Sequence, residues 1–214
     1  MKFILIFFFS LVVSSINAQA INPDDSFTFE LGLPNATNNK AYRSIMQGLV
    51  CISPTYQYAL KNGISFGIGL HYSYFAINEF KVQPKIFGGI HSAAAFLKLG
   101  YEKFWTERFG TETGCKIGCL NSFSISDSIK NHIKTEATFI EPFISLIATS
   151  SVNSSYRFTI GFPFYGYRFT PETIGILDSN LGYSNADFSK IASAFTISFG
   201  YTFYFNGKKN TDDD

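Results

Sequence analysis

The chain has 214 residues, of which 46% are hydrophobic and 18% aromatic, whereas only 15% are charged. Soluble domains carry about 25% charged residues, so this composition is not typical of an ordinary soluble domain. The formal net charge of +1 provides no basic excess. We therefore do not expect nucleic acid to be a partner.

The first predicted element is a secretory signal peptide at residues 1–18. Lys2 precedes an apolar run at residues 3–13, and small polar residues follow that run. A run of this length is too short for a membrane-spanning helix but is typical of a secretory leader. Cleavage after Ala20 fits equally well, because residues 18–20 match a small-residue cleavage site.

Eight later segments alternate large apolar side chains with small or polar ones. In the segment 64–77, every second residue from Ile64 to Tyr74 is large, and the residues between them are Ser, Gly and His. Strict alternation with a period of two indicates a strand with two unlike faces. We predict strands at residues 25–33, 45–60, 64–77, 86–103, 109–122, 136–148, 155–167 and 191–205.

The predicted connections alternate in length along the chain. Short turns are expected at 61–63, 104–108 and 149–154, and longer links at 34–44, 78–85, 123–135 and 168–190. Short turns at one end and long loops at the other are typical of an outer-membrane barrel. We therefore expect one barrel domain at residues 19–205, followed by a polar tail at 206–214.

The small face of each strand is too poor in charge to be the exterior of a soluble barrel, but small residues fit the narrow interior of eight strands. The sequence thus predicts an all-β fold, an eight-stranded antiparallel up-and-down transmembrane β-barrel with its large residues toward lipid. The expected lipid-facing residues include Phe66, Ile68, Leu70, Phe158, Ile160 and Ile197. Aromatic residues near strand ends, expected to form interfacial girdles, are Tyr72, Tyr74, Tyr101, Trp105 and Tyr156.

Charged residues interrupt the small, inward face. The predicted lumen charge network comprises Glu30, Lys98, Glu102, Glu112, Lys116, Glu141 and Arg157. Neighbouring strands place Lys98 and Glu102 within reach of Glu112 and Lys116, across or diagonally. Buried charges must pair or hold water. Pairing predicts a plug that fills the barrel, whereas water predicts a gated polar pore or a proton path.

No catalytic, cofactor-binding or metal-binding residues are predicted. His71 shares the inward face with Ser65 and Ser73, but successive same-face residues along a strand are about 7 Å apart, and no hydrolase, metalloprotease or phosphate-loop motif occurs. Cys115 and Cys119 lie about 13 Å apart on one strand, too far for a disulfide. These two cysteines and Cys51 are interpreted as small apolar filler.

The whole predicted barrel, to its closing segment SFGYTFYF, resembles small outer-membrane proteins of the OmpA/OmpX-like superfamily. It is most similar to the outer-membrane β-barrel domain proteins of Bacteroidota, a group that includes PorT-like chains. Barrels of this kind often end on an aromatic residue, whereas here a polar segment follows Phe205. The terminal signal for the barrel-insertion machinery is therefore expected to be internal, at Tyr201, Phe203 and Phe205.

Three functions remain open at this point. The first is a non-enzymatic barrel in the Gram-negative outer membrane, surrounded by outer-membrane lipids, whose long loops contact an extracellular or envelope partner of unknown identity. The second, which the resemblance allows, is a PorT-like assembly component of a secretion machine. The third is a lipid-modifying enzyme whose site is assembled across strands.

Overall fold

The computed structural model describes residues 24–82, 85–129, 132–175 and 185–205. The predicted signal peptide at 1–18 and the predicted tail at 206–214 lie outside these residues. The strands are β1 (Ser26–Ala36), β2 (Met46–Ala59), β3 (Ile64–Ile77), β4 (Gly88–Phe104), β5 (Phe109–Ser126), β6 (Ile133–Ser151), β7 (Ser154–Gly161), β8 (Phe164–Arg168) and β9 (Ile191–Tyr204).

The sheet closes on itself as an antiparallel barrel. Each strand pairs with the next along the chain as far as β7, and β9 returns to pair with β1. The closing ladder runs from Ser26 opposite Tyr204 to Ala36 opposite Ala194. Closure leaves no strand edge unpaired, which a sheet requires if it is to be stable in lipid. The predicted all-β barrel is confirmed.

Strands β7 and β8 together occupy one position in the barrel. Gly161 lies opposite Thr196 on β9, and Phe164 lies opposite Ser193, so the register is unchanged across the break. The interruption falls at Pro163, which has no N–H to donate to the ladder. The barrel therefore has eight strand positions, as the alternation predicted for residues 155–167.

The two ends of the barrel differ. Short connections at 60–63, 105–108 and 152–153 define what we call the turn end, and connections at 37–45, 78–87, 127–132 and 169–190 define the loop end. The expected loop at 123–135 is wrong in its bounds, because β5 and β6 continue pairing to Ser124 and Ile133. Backbone pairing therefore continues beyond the apolar belt, where Lys134 and Glu136 of β6 are exposed.

A short helix, α1 (Lys40–Ile45), begins in the predicted loop at 34–44 and ends at the first residue of the strand predicted at 45–60. The Asn39 side chain accepts a hydrogen bond from the Tyr42 N–H at 3.0 Å, which caps the helix. Ala41, Tyr42 and Ile45 are fully buried, so α1 folds inward over the loop end of the barrel. Within the described ranges, no helix is long and apolar enough to cross a membrane.

The outer surface of the barrel is apolar along most of its height. Among the predicted lipid-facing residues, Phe66, Ile68, Leu70, Phe158 and Ile197 are all at least 43% exposed, and Ile160 is half-buried. Tyr101, Trp105 and Tyr156 lie on the outside near the turn end, whereas Tyr72 and Tyr74 lie near the loop end. Aromatic rings thus flank an aliphatic belt on the outer surface.

Candidate functional site

The interior of the barrel has three layers. At the turn end, Phe104, Ile147 and Tyr204 form a small apolar cluster. At the loop end, a larger cluster joins α1 to aromatic residues of the strands, including Phe75 and Tyr165. Between these clusters lie the charged side chains, and we call this middle layer the charge layer.

The structure brings all seven residues of the predicted network into the charge layer. None of them is more than 7% exposed; they are Glu30, Lys98, Glu102, Glu112, Lys116, Glu141 and Arg157. Their inward orientation follows from the period of two, since each shares the parity of the small residues on its own strand. Some of their partners, however, lie on strands that are distant along the chain.

The register of β4 and β5 places like charges directly opposite each other. Lys98 faces Lys116, and Glu102 faces Glu112. Like charges in directly opposed positions are destabilising unless other groups compensate them. Only the diagonal Lys98–Glu112 pair, at 2.7 Å, forms between these four residues. One diagonal pair therefore forms between β4 and β5, and compensation of the remaining charges comes from β1, β6 and β7.

Arg157 on β7 joins the two carboxylates nearest the turn end. Its Nη2 lies 2.8 Å from Glu102 Oε2, and its Nη1 contacts Glu112. The Nε donates to Thr202 Oγ1 at 2.7 Å, so all three nitrogens of the guanidinium have partners. A planar guanidinium suits this geometry, since it can hold two carboxylates at once.

Two uncharged residues complete this part of the charge layer, and sequence reasoning did not assign them to it. Gln57 accepts a hydrogen bond from Lys98 Nζ at 2.5 Å and donates one to Glu102 at 2.9 Å. The Tyr204 hydroxyl donates to Glu102 at 3.2 Å. Both residues have inward parity, which is the signal that could have identified them.

Lys116 holds the other two carboxylates. Its Nζ lies 3.5 Å from Glu30 and 3.4 Å from Glu141, which belong to β1 and β6. The ammonium group is also 5.3 Å from the centre of the Phe96 ring and 5.4 Å from that of Phe143. The faces of aromatic rings attract cations, so Phe96 and Phe143 shield the Lys116 ammonium group from water and also stabilise its charge.

Inward-facing glycines leave the space that the carboxylates occupy. A Cβ at Gly100 would lie 2.7 Å from Glu112 Oε1, and one at Gly161 would lie 2.4 Å from Glu141 Oε1. Likewise, a Cβ at Gly200 would lie 2.8 Å from Glu30 Cγ. The alternation of Gly with charged residues on the inward face therefore has a packing reason.

A thiol, an imidazole and a carboxylate meet at the border of the charge layer and the loop-end cluster. Cys51 Sγ is 3.8 Å from His71 Nδ1, and that nitrogen is 3.6 Å from Glu141 Oε2. In a catalytic triad the nucleophile and the orienting acid contact opposite nitrogens of the imidazole, whereas here both of these contacts are with Nδ1. Phe139 packs on His71 with ring centres 4.8 Å apart. Both Cys51 and His71 are buried, so this trio has no open side from which a substrate could approach.

The remaining candidates are placed separately. Cys115 and Cys119 face outward on β5, and all three cysteines are free. His91 lies 2.8 Å from the Tyr72 hydroxyl on the outer surface. In the part of the chain that the structure describes, no group of three or more His, Cys, Asp or Glu residues is arranged to hold a metal ion.

The loop-end cluster covers the charge layer with aromatic rings. Tyr42 of α1 packs against Phe75 and Phe169, with ring centres 5.1 and 5.3 Å apart. The Asn39 side chain donates to the backbone carbonyls of Phe169 and Lys190, at 3.2 and 2.9 Å, and so ties α1 to the connection at 169–190.

No family model matches the chain, and no curated protein matches it either. Solved structures do match. Neisserial surface protein A, NspA, superposes with a TM-score of 0.56 at 9% identity, covering 85% of this chain and 97% of its own. OprG from Pseudomonas aeruginosa gives a TM-score of 0.50 at 10% identity, covering 88% and 100%. The fold is that of the small outer-membrane β-barrels.

Small outer-membrane barrels share an architecture rather than a chemistry. At sequence identities of 9 and 10%, the similarity to NspA and OprG concerns the fold alone. The predicted OmpA/OmpX-like resemblance is therefore confirmed as a resemblance of fold. An eight-stranded barrel with an apolar exterior is the architecture of proteins of the Gram-negative outer membrane. The narrower resemblance to PorT-like chains stays a hypothesis.

Proposed function

We propose that the protein is a non-enzymatic barrel of the outer membrane with a plugged lumen, which presents the connections at its loop end for contact with an extracellular or envelope partner. Surrounding lipids and the barrel-insertion machinery are the partners that this location requires. The apolar outer belt and the closed strand ladder support the location, because lipid tolerates neither exposed charge nor unpaired backbone.

The observation that carries the plug is the layered interior. Each lysine and the arginine of the charge layer contacts at least one carboxylate directly, and apolar clusters lie on both sides of the layer. Charges that are paired in this way do not need bulk water around them, whereas unpaired charges would require the water of an open pore to solvate them. Eight strands also enclose a space that side chains can fill completely.

The loop end supports a role in contact with other molecules. There α1 is fixed by its Asn39 cap and by burial of Tyr42, so the connections start from a rigid platform. Rigid scaffolds that carry exposed loops are a common arrangement for binding. A lipid-modifying enzyme is less well supported, since the Cys51–His71–Glu141 trio is covered by Phe139.

The plug is tested by conductance of the purified protein in planar lipid bilayers. We expect at most brief, small currents, because paired side chains occupy the charge layer and apolar clusters lie on both sides of it. A trimeric porin reconstituted in the same way serves as the positive control, and a sample unfolded by boiling as the negative control. Sustained single-channel currents from the wild-type barrel would refute the plug and establish a pore.

A further inference from the structure

A cavity of about 440 Å³ opens on the outer surface of the barrel near the loop end, away from the charge layer. It lies where β8 and β9 meet the connection that follows β1. Its lining combines aromatic, hydroxyl and cationic residues: Thr37, Asn38, Arg43, Phe162, Phe164, Lys190, Ser193 and Ala194. We call this cavity the rim notch.

The apolar side of the rim notch is continuous with the lipid-facing belt. Phe162 is 45% exposed and packs on Phe195, with ring centres 5.3 Å apart. Phe164 lies two residues further toward the loop end, on the same outward face of the same strand position. An acyl chain that lies along the outer surface of the barrel would therefore reach the rim notch from the side of the turn end.

The polar side of the rim notch carries two cations and several hydroxyl or amide groups. Arg43 on α1 and Lys190 before β9 both line it and are both exposed. Among the residues that the structure describes, neither cation has an ion-pair partner. Lys40, by contrast, is paired with Asp187 at 3.3 Å. Two cations on one cavity, neither paired with a carboxylate of the described residues, favour an anionic ligand.

The position of the rim notch restricts the kind of anion. Cations above an aromatic surface at the end of a transmembrane barrel lie where lipid head groups meet acyl chains. A soluble anion would use the cations but gain nothing from Phe162 and Phe164. A lipid with a phosphorylated head group would use both sides of the cavity.

We propose that the rim notch binds the phosphate-bearing head group of a membrane lipid, with Arg43 and Lys190 contacting the phosphate and Phe162 contacting an acyl chain. This inference rests on the barrel spanning a membrane, and it is independent of whether the lumen conducts. Bidentate hydrogen bonding by Arg43 would orient the phosphate, while the hydroxyls of Thr37 and Ser193 lie on the same wall.

The test measures lipid binding by native mass spectrometry of the folded barrel released from detergent, with diphosphoryl lipid A and its dephosphorylated form as probes. We expect the wild type to retain one diphosphoryl lipid in preference to the dephosphorylated one. The double variant Arg43→Gln/Lys190→Gln should lower that affinity at least about tenfold, since it removes both cations that would contact the phosphate.

The matched control is Lys81→Gln/Lys85→Gln, which removes the same charge from another exposed segment of the loop end. This variant should bind as the wild type does. Equal losses in both double variants would indicate general attraction to an anionic surface and would overturn the site. An unchanged affinity in Arg43→Gln/Lys190→Gln would overturn it as well.

A third variant and a competitor separate a lipid from a free anion. Phe162→Ala should weaken binding of the diphosphoryl lipid while the barrel still shows its folded mobility on an unboiled gel. Inorganic phosphate at millimolar concentration should not displace the lipid, because it lacks the acyl contact. Full displacement by inorganic phosphate, or no effect of Phe162→Ala, would contradict a lipid site.

Discussion

At the scale of single residues, the charge layer is a set of mutually dependent groups. Glu112 alone contacts both Lys98 and Arg157, and Gly100 provides the space beside it. In a buried network the loss of one member leaves its partners uncompensated, and that cost exceeds the net contribution of the pair itself. Removing Glu112 is therefore the most informative single change.

Glu112→Ala should destabilise the barrel by about 3–5 kcal/mol, because Lys98 and Arg157 lose a carboxylate in a buried setting. Unfolding by urea in lipid vesicles, followed by the fluorescence of Trp105, the only tryptophan, measures the change. Adding Lys98→Ala should recover part of the loss, since one uncompensated charge is then removed. Bilayer conductance should stay as low as in the wild type.

The matched control is Glu136→Ala, a substitution on the outward face of β6 near the loop end. Glu136 is also paired with a lysine, Lys134, at 2.6 Å, but its side chain is 72% exposed. Water and salt screen such a pair, so we expect little change in stability. Equal effects of the two substitutions would show that burial of the network is not what matters.

At the scale of elements, each strand separates lipid-facing from lumen-facing residues by parity. On β9, Phe199 is 59% exposed, whereas its neighbour Ser198 is buried. Phe199 lies opposite Leu31 on β1 and Phe158 on β7, so it is surrounded by apolar residues on the outer surface. A charge at this point would face hydrocarbon.

Phe199→Arg should reduce the stability of the inserted barrel by about 2–4 kcal/mol, the cost of an arginine near the middle of the bilayer in such barrels. Phe199→Leu is the control, because it preserves an apolar surface. Folding yield into lipid vesicles, read from the mobility of unboiled samples, measures both. If Phe199→Arg folds as well as Phe199→Leu, the assignment of the outer face is reversed.

The helix α1 shows how an element can depend on its surroundings. Six residues are too few to be stable as an isolated helix. The helix forms because Asn39 caps it and because Tyr42 is buried between Phe75 and Phe169. The cap is local to the chain, whereas the burial of Tyr42 comes from tertiary packing, which no local pattern in residues 34–44 indicates.

At the scale of the whole molecule, closure makes unfolding cooperative. Every strand has two neighbours, including β1, which pairs with both β2 and β9. No strand can leave without breaking two ladders inside a medium that offers no other hydrogen-bond partners. Detergent at room temperature therefore should not open the barrel, whereas boiling should.

The protein should fractionate with the outer membrane and migrate faster unboiled than boiled on a denaturing gel, because the closed barrel stays compact in detergent. The Glu112→Ala variant, once folded, should show the same two mobilities but convert at a lower temperature. Recovery of the wild type as a soluble periplasmic protein, with a single mobility, would contradict the membrane location.

The fold class and the inward residues followed from the sequence because alternation with a period of two is a local property. The alternation within a strand shows which of its residues share a face, independently of the strands that pair with it. The positions of Glu30, Glu141 and Arg157 in the interior were predictable for this reason. The continuity of residues 155–167 was predictable as well, since Pro163 interrupts the hydrogen bonding without changing the register.

Tertiary structure alone decided which inward residues contact one another. Register places Lys98 opposite Lys116, so Lys98 pairs diagonally with Glu112. Lys116 contacts Glu141, which lies directly opposite it on β6, and also Glu30 of β1, on the far side of the lumen. The contact across the lumen depends on how the sheet closes. The same holds for the rim notch, where Arg43 and Lys190 are far apart along the chain. Sequence thus determined the face of each residue, which is local, whereas closure of the barrel determined its partners, which are not.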